Sequence, residues 1–363
     1  MGLQELYTAA LEDTNSGQYA EAIQKLESIL TNEIGDGDKA KICLLLGGLL
    51  LTVGNNEGGV QRLVEALAIA PDNAAGWSNL SEGWRRLGRF DNALETARKA
   101  VTLNPDHADA HNNLGVALQA LGKLDEAIGA FHRAVALKPS HNVHINLGNA
   151  LQVQGKLNEA VTSYNQALIL KPDYVDGHNN LGVALQAQGK LDEAISSYCR
   201  ALELKPDYAN VHNNIGVALQ AQGKLDEAVA SFQKALTLRP NYADAHNNMG
   251  VALQAQDKLD EAVTSFQQAL SLQPNYPDAC FNIGNALEAQ GKLDEAIAAF
   301  RQALTLKPDN ADAHFNIGNA LKAQGRPDEA ELSYRQAIEL KPDYAEAQNN
   351  LGVTLKELNR LDE

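Results

Sequence analysis

Apolar and small residues recur along this chain in two alternating runs of helical spacing. Between Val175 and Tyr208 the first run places His178, Leu181, Gly182 and Leu185 three or four residues apart, and the second does the same with Ala194, Tyr198, Ala201 and Leu202. Each run has one apolar side and one polar side, so the pattern predicts helix, turn, helix, turn. A glycine such as Gly189 ends the first helix, where the chain needs a left-handed residue. Asp257 and Asn359 hold that place in two repeats and tolerate the same conformation. A proline such as Pro206 follows the second helix, and Asp173 with Asp176 reads as an N-cap and its acidic partner opening the next one.

The runs return at a fixed interval. Gly115, Gly148, Gly182, Gly216, Gly250, Gly284, Gly318 and Gly352 are spaced by 33 residues once and then by 34 six times. A period of this length means a solenoid of stacked helix pairs. With the glycine as the eighth place of a 34-residue repeat, the repeat opening at Val175 has Leu181 at the seventh place and Ala194 at the twentieth. Tyr198 then holds the twenty-fourth place, Ala201 the twenty-seventh and Pro206 the thirty-second.

Small residues at the eighth, twentieth and twenty-seventh places, where helices cross closely, are the mark by which the chain resembles the tetratricopeptide repeat (TPR) proteins along nearly its whole length. The resemblance implies an all-α, right-handed superhelical solenoid of antiparallel helix pairs. We assign residues 1–39 to a divergent first repeat from Leu3 and a linker, and residues 40–344 to nine consecutive repeats. These begin near Ala40, Ala74, Ala108, His141, Val175, Ala209, Ala243, Pro277 and Ala311. Residues 345–363 form an eleventh repeat reduced to its first helix and turn. Thr31 to Asp38 read as an insertion, and one residue is deleted between Pro139 and His144. Asn359 to Glu363 match the turn and the first residues of a second helix, and no polar capping element follows. The chain therefore reads as a piece of a longer protein, with uncapped ends that predict self-association.

At 100° per residue, the fourth, seventh, eighth and eleventh places of the first helix form its packing side. The second, fifth, ninth, twelfth and thirteenth lie opposite, with the sixth on their flank. In the TPR proteins that opposite side lines a concave groove. The sixth place is Asn79, Asn113, Asn146, Asn180, Asn214, Asn248, Asn282, Asn316 or Asn350, a row of nine asparagines. Asparagine costs a helix about 0.5 kcal/mol or more against alanine, so the repetition asks for a reason. A carboxamide can bond both the C=O and the N–H of a peptide group whatever side chain that peptide carries, which suits extended polypeptides of varied sequence. The competing explanation is that duplication copied a residue that bonds a neighbouring helix. If the row serves ligand alone, replacing Asn180, Asn214, Asn248 and Asn282 with alanine leaves the fold intact.

The fifth place is Ser78, Asn112, Asn179, Asn213, Asn247 or Asn349, interrupted by Ile145, Phe281 and Phe315. The ninth is mostly valine, with Asn149, Asn285 and Asn319 among them. We take the three ninth-place asparagines as further groove contacts and Phe281 and Phe315 as aromatic anchors. The row resembles that in the TPR region of the O-linked N-acetylglucosamine transferases and their bacterial relatives, which implies a hold on the substrate backbone at the matching place. The repeat proteins that clamp chaperone tails use Lys and Arg on this side. The regular repeats here have neither at the second, fifth, sixth or ninth place, which argues against such a clamp.

Composition narrows the partners. Thirty Lys plus Arg against 46 Asp plus Glu give a formal charge of −16, which repels phosphate backbones and anionic membranes. Asp109, Asp176, Asp244, Asp278 and Asp312 at the second place favour a basic ligand or simply compensate the helix dipole. Cys43, Cys199 and Cys280 are scattered and odd in number, without a CxxC, which fits a reducing compartment. The start MGLQEL lacks the pattern of a signal peptide, and the run Ile42 to Val53 is too short to span a bilayer, so a cytoplasmic protein is expected.

His111, His144, His178, His212, His246 and His314 share the fourth place, a whole repeat apart and too far to share a metal, so packing is their expected role. His107 and His111 have the i,i+4 spacing of a ligand pair but no cysteine near them. Gly182 to Lys190 departs from a phosphate loop in its glycine spacing and in Leu191, which stands where Ser or Thr is required. No catalytic arrangement stands out, and neither cofactor nor metal is expected. Two functions remain. One is a non-catalytic interaction scaffold that binds polypeptide segments or partner proteins. The other is the substrate-recruiting region of a longer, glycosyltransferase-like enzyme.

Overall fold

The structure, a computed structural model, describes residues 3–360. Among these residues it contains 21 helices and no strand. The chain divides into two compact units, residues 1–184 and 185–363. The first contains α1 (Leu3–Ser16), α2 (Tyr19–Leu30), α3 (Asp36–Thr52), α4 (Asn56–Ile69), α5 (Ala74–Arg86), α6 (Phe90–Leu103), α7 (Ala108–Ala120), α8 (Leu124–Leu137), α9 (His141–Val153) and α10 (Leu157–Leu170). The division falls within α11 (Val175–Ala187). The second unit continues with α12 (Leu191–Leu204), α13 (Ala209–Ala221), α14 (Leu225–Leu238), α15 (Ala243–Ala255), α16 (Leu259–Leu272), α17 (Pro277–Ala289), α18 (Leu293–Leu306), α19 (Ala311–Ala323), α20 (Pro327–Leu340) and α21 (Ala345–Glu357). Residues Leu361 to Glu363, read from sequence as the start of a further helix, lie outside the described residues. Among the described residues no helix is long and apolar enough to cross a membrane.

Turn chemistry sets the boundaries between helices. Gly189 has φ +75°, its N–H donates to Gln186 O at 2.9 Å, and the N–H of Lys190 donates to Leu185 O at 3.0 Å. These two bonds satisfy carbonyls that the helix end would otherwise leave bare. Asp257 and Asn359 adopt the same left-handed conformation at φ 63° and 58°. The opening of the first helices differs from the sequence reading. α11 starts at Val175, so Asp173 lies two residues ahead of it, and the capping place falls to the following residue. Where that residue is Asn73, His107, Ser140 or Asn310, its side chain accepts a backbone N–H. Where it is Tyr208, Tyr242, Tyr276 or Tyr344, no side-chain cap forms. Several of these rings instead receive a cation from the turn, as with Arg239 at 3.6 Å from the Tyr242 centroid.

A second difference is α3, which opens at Asp36, inside the stretch read as an insertion. Asp36 and Asp38 occupy its first turn, where the helix dipole favours acid.

Within each unit every helix packs on its neighbours in sequence, and first helices of successive repeats also touch. α3 meets α5, α5 meets α7 and α7 meets α9 in one unit; α13 meets α15, α15 meets α17 and α17 meets α19 in the other. A first helix therefore lies between its own second helix and the one before it, which buries a wider side than four places. Ala110 and Ala117, at the third and tenth places, are fully buried, as are Ala245 and Ala252. Close approach of the paired helices depends on the eighth place. A Cβ added to Gly216 would stand 2.5 Å from the buried Phe232 ring, and one added to Gly250 would stand 2.6 Å from Phe266. No aromatic ring could stay where it is.

Candidate functional site

The sixth-place asparagines stand on the flank of each first helix, beside the packed third and tenth places, half-buried in every case but the exposed Asn79. Their position gives them two neighbourhoods, the open side and the preceding repeat, and their Nδ2 groups point to the second. Asn113 donates to Ser78 O at 3.0 Å and to Ser78 Oγ at 3.2 Å, and Asn146 to Asn112 Oδ1 at 2.9 Å. Asn248 donates to Asn213 Oδ1 at 3.1 Å and Asn282 to Asn247 Oδ1 at 3.1 Å. In these four cases the acceptor is the fifth-place residue of the repeat before.

In three others the acceptor moves one turn along. Asn180 donates to Asn149 Oδ1 at 3.2 Å, Asn316 to Asn285 Oδ1 at 2.9 Å and Asn350 to Asn319 Oδ1 at 3.0 Å. These acceptors hold the ninth place, and they occur in the three repeats whose fifth place is apolar, Ile145, Phe281 and Phe315. One acceptor is thus supplied by each of these seven repeats, from either of two positions on the same face. Ser78, Asn112, Asn213 and Asn247 join the site on this ground. The exchange between the fifth and ninth places is the sequence signal that points to them. Asn213 and Asn247 are buried, at 6% and 7% exposure, so their oxygens need these donors.

The replacement experiment therefore has a different expected outcome from the one drawn from sequence. The asparagines hold repeats together, and alanine removes that bond. They also retain unused capacity. The Oδ1 atoms of Asn113, Asn146, Asn248, Asn282 and Asn316 accept no hydrogen bond among the described residues, and all of these but Asn113, whose Nδ2 bonds Ser78 twice, keep a second N–H. Asn79 differs, for the preceding repeat offers Leu44 and Gly48 at the fifth and ninth places, and its carboxamide has no partner among the described residues. Asn214 is placed on the same register, in α13.

Further polar groups support the ninth place. Tyr164 donates to Asn149 Oδ1 at 2.8 Å, and Tyr334 to Asn319 Oδ1 at 2.9 Å. Burial pushes both phenols up, that of Tyr334 to about 12, so they remain donors at any ordinary pH. Phe281 and Phe315 spend much of their surface within the array. Phe281 packs on Phe300 at 5.6 Å between centroids, and Phe315 on Tyr334 at 6.0 Å and Tyr344 at 5.0 Å. Both rings are half-buried.

A second series of bonds ties repeats at the other end of the first helix. Gln222 donates to Asp192 at 2.8 Å, Gln256 to Asp226 at 2.9 Å and Gln324 to Asp294 at 2.8 Å. The fourth-place histidines have a structural partner as well. The Nε2 atoms of His111, His178, His212 and His246 lie 2.8–3.0 Å from the carbonyl oxygen of the proline six residues earlier, and Trp77 and Gln348 make the same contact with their own N–H donors. His144 is the exception. The deletion before it shortens the spacing to Pro139 by one residue, and its Nδ1 is buried without a partner.

Comparison with known proteins follows the same repeat. Models described as TPR repeat match residues 148–189, 184–223 and 284–325, and models described as tetratricopeptide repeat match residues 44–102, 84–142, 207–275, 253–298 and 311–344. No curated protein matches the chain in sequence. Among solved structures it is similar to a chain of the APC/C hetero-tetramer Cut9-Hcn1, at 17% identity over 98% of this chain and 84% of that one, with a TM-score of 0.56. A tetratricopeptide repeat protein from Parabacteroides merdae matches at 19% identity over 68% and 98%, with a TM-score of 0.55. YrrB, a TPR protein with an unusual peptide-binding site, matches at 26% identity over 51% and 96%, with a TM-score of 0.44. The first two likenesses show the fold alone.

Proposed function

Because the chain belongs to the tetratricopeptide repeat family, a scaffold suited to protein or peptide binding, we propose that the carboxamide row binds extended polypeptide segments through their backbone. One observation carries this reading. Each of four row members, Asn146, Asn248, Asn282 and Asn316, has one N–H committed to the preceding repeat, which fixes its orientation, and keeps an acceptor and a donor for a ligand. A peptide group needs one of each. A side chain held by a bond of its own is preorganised, so less rotamer freedom is lost on binding. Phe281 and Phe315 add apolar surface beside the row in adjacent repeats.

The test is a set of anisotropy titrations with dye-labelled, acetylated and amidated peptides of unrelated sequence. Wild type is compared with the triple variant Asn248→Ala, Asn282→Ala, Asn316→Ala, well below the melting temperature of both. Losing several bonds of roughly 1 kcal/mol each predicts a loss of about two orders of magnitude, similar for every sequence. Unchanged affinity beside a lowered melting temperature would leave the row a purely structural device.

A second reading makes the same face the recruiting region of a glycosyltransferase-like enzyme, supported by the place of the asparagines in the repeat. The full reading frame tests it, since this reading requires a nucleotide-sugar site to be encoded beyond Glu363.

A further inference from the structure

The start of the row differs from the rest. In the second repeat the fifth, sixth and ninth places are Leu44, Leu45 and Gly48, where later repeats carry carboxamides and valine. The structure has an open cavity of about 420 Å³ at this point, lined by these three residues together with Tyr7, Leu49 and Asn79. Its existence depends on the missing side chain at Gly48. A Cβ added there would meet only the Asn79 Nδ2, at 3.8 Å, so the space beyond the α3 backbone is empty up to that carboxamide. Leu44, Leu45, Tyr7 and Leu49, the last at 5% exposure, make its apolar walls, and Asn73 and Asn79 are polar on the lining. The one cation on the lining, Lys41, is paired with Asp38 at 3.2 Å, which leaves no uncompensated charge to draw in a charged group. Asn79 is the row member without a partner in the preceding repeat, and it stands at the wall.

From this juxtaposition we infer that the cavity is a specificity socket for one large apolar side chain, aromatic or long aliphatic, of an extended polypeptide. The inference rests on the row reading and deepens it. The volume lies within the range of ligand pockets and accommodates one such side chain with its own backbone. Burial against the leucines and Tyr7 supplies the affinity for the side chain, while the Asn79 carboxamide, with an acceptor and two donors available, bonds the peptide group of the seated residue. A backbone row alone reads no sequence and allows a ligand to slide by one residue. A socket at its start fixes which residue sits where.

The experiment uses an acetylated, amidated, dye-labelled host peptide Gly-Ser-Thr-Xaa-Thr-Ser-Gly, with Xaa as Ala, Leu or Phe, titrated by anisotropy. Burial of the guest side chain predicts that wild type binds the Phe peptide about 10–100-fold more tightly than the Ala peptide. Gly48→Leu fills the socket from its own backbone and should bring that ratio to about 1. It adds a better helix former at a place where a Cβ meets only ordinary contact, so its melting temperature should hold. Gly48→Met is the second filling variant. A ratio unchanged in both would overturn the socket, as would a wild type that does not distinguish Phe from Ala or binds neither. If sedimentation shows a wild-type dimer that Gly48→Leu dissolves and the Phe peptide does not displace, the occupant is a second copy of this chain and the proposal is wrong. The double variant Asn113→Ala, Asn146→Ala, in the two repeats that follow the socket within the same unit, separates the two ideas. Loss of binding there with Phe selectivity untouched by Gly48→Leu leaves the row and removes the socket, and the reverse leaves the socket and removes the row.

Discussion

Replacing Asn248 with alanine tests the double duty of the row. The change removes the bond from its Nδ2 to Asn213 Oδ1 and leaves that oxygen buried on a residue 6% exposed. An unsatisfied buried acceptor costs about 1–3 kcal/mol, while alanine returns roughly 0.5 kcal/mol of helix propensity, so the net loss should be about 1–2 kcal/mol. Asn79→Ala is the internal control. It occupies the same place in the repeat but has no partner among the described residues, and should therefore stabilise by roughly 0.5 kcal/mol. Equilibrium urea unfolding followed by circular dichroism reads both, with variants compared at their midpoints because repeat arrays sum neighbouring interface energies. Adding Asn213→Ala completes a double-mutant cycle, and the coupling between positions 213 and 248 should reach about 1 kcal/mol. Equal shifts for Asn79→Ala and Asn248→Ala, or a coupling of zero, would refute the bond as a holder of repeats.

Gly216→Ala drives a methyl group to 2.5 Å from the buried Phe232 ring and should lower stability by about 1–3 kcal/mol. Gly352→Ala meets nothing within 4 Å and should raise it by about 0.5–1 kcal/mol. Thermal melts of the pair check the close crossing, and equal effects would show it to be misplaced. Burial lowers the pKa of His144, and also that of His314 in spite of its bond to the Pro308 carbonyl. A histidine held neutral in the fold takes up its proton only on unfolding, so this stability is complete above about pH 6.5 and is lost as the pH falls below it. Melting temperature should drop between pH 7 and pH 5, and His144→Leu should drop less; an identical profile would count against the assignment.

The array was legible because its signals are local and repeated. From Ala74 onward the first helices start where the repeat numbering puts them, since a left-handed residue ends one helix and a proline turn precedes the next. Asp257 and Asn359 could be read as glycine substitutes because few other residues adopt that conformation at low cost. Caps were less legible. Asp173 has the right chemistry one residue too early, and only the turn geometry shows that the tyrosine place, not the aspartate, abuts the helix. Phe281 and Phe315 were visible as aromatic residues on the groove side, but periodicity does not say which way a half-buried ring leans. Both lean on the next aromatic layer. The direction of the asparagine bonds is of the same kind. A helical wheel places Asn248 on a flank, and the choice of Asn213 as partner depends on a spacing between two helices that no single-repeat pattern contains.

The carboxamide bonds described within each unit all run from a repeat to the one before it, and this bears on how such an array changes over generations. A duplicated stretch of 34 residues brings a donor for the repeat ahead and an acceptor for the repeat behind, so a tandem copy needs no adjustment at its seams. Crossing-over between misaligned repeats is different. A breakpoint falling between the fifth and ninth places can join Phe281 to the valine of one sister repeat, or the asparagine of another to Asn285. The first hybrid has no acceptor for the next repeat and the second has two. Descent by unequal exchange should therefore favour breakpoints outside that turn of the first helix, which would keep Ile145 with Asn149, Phe281 with Asn285 and Phe315 with Asn319.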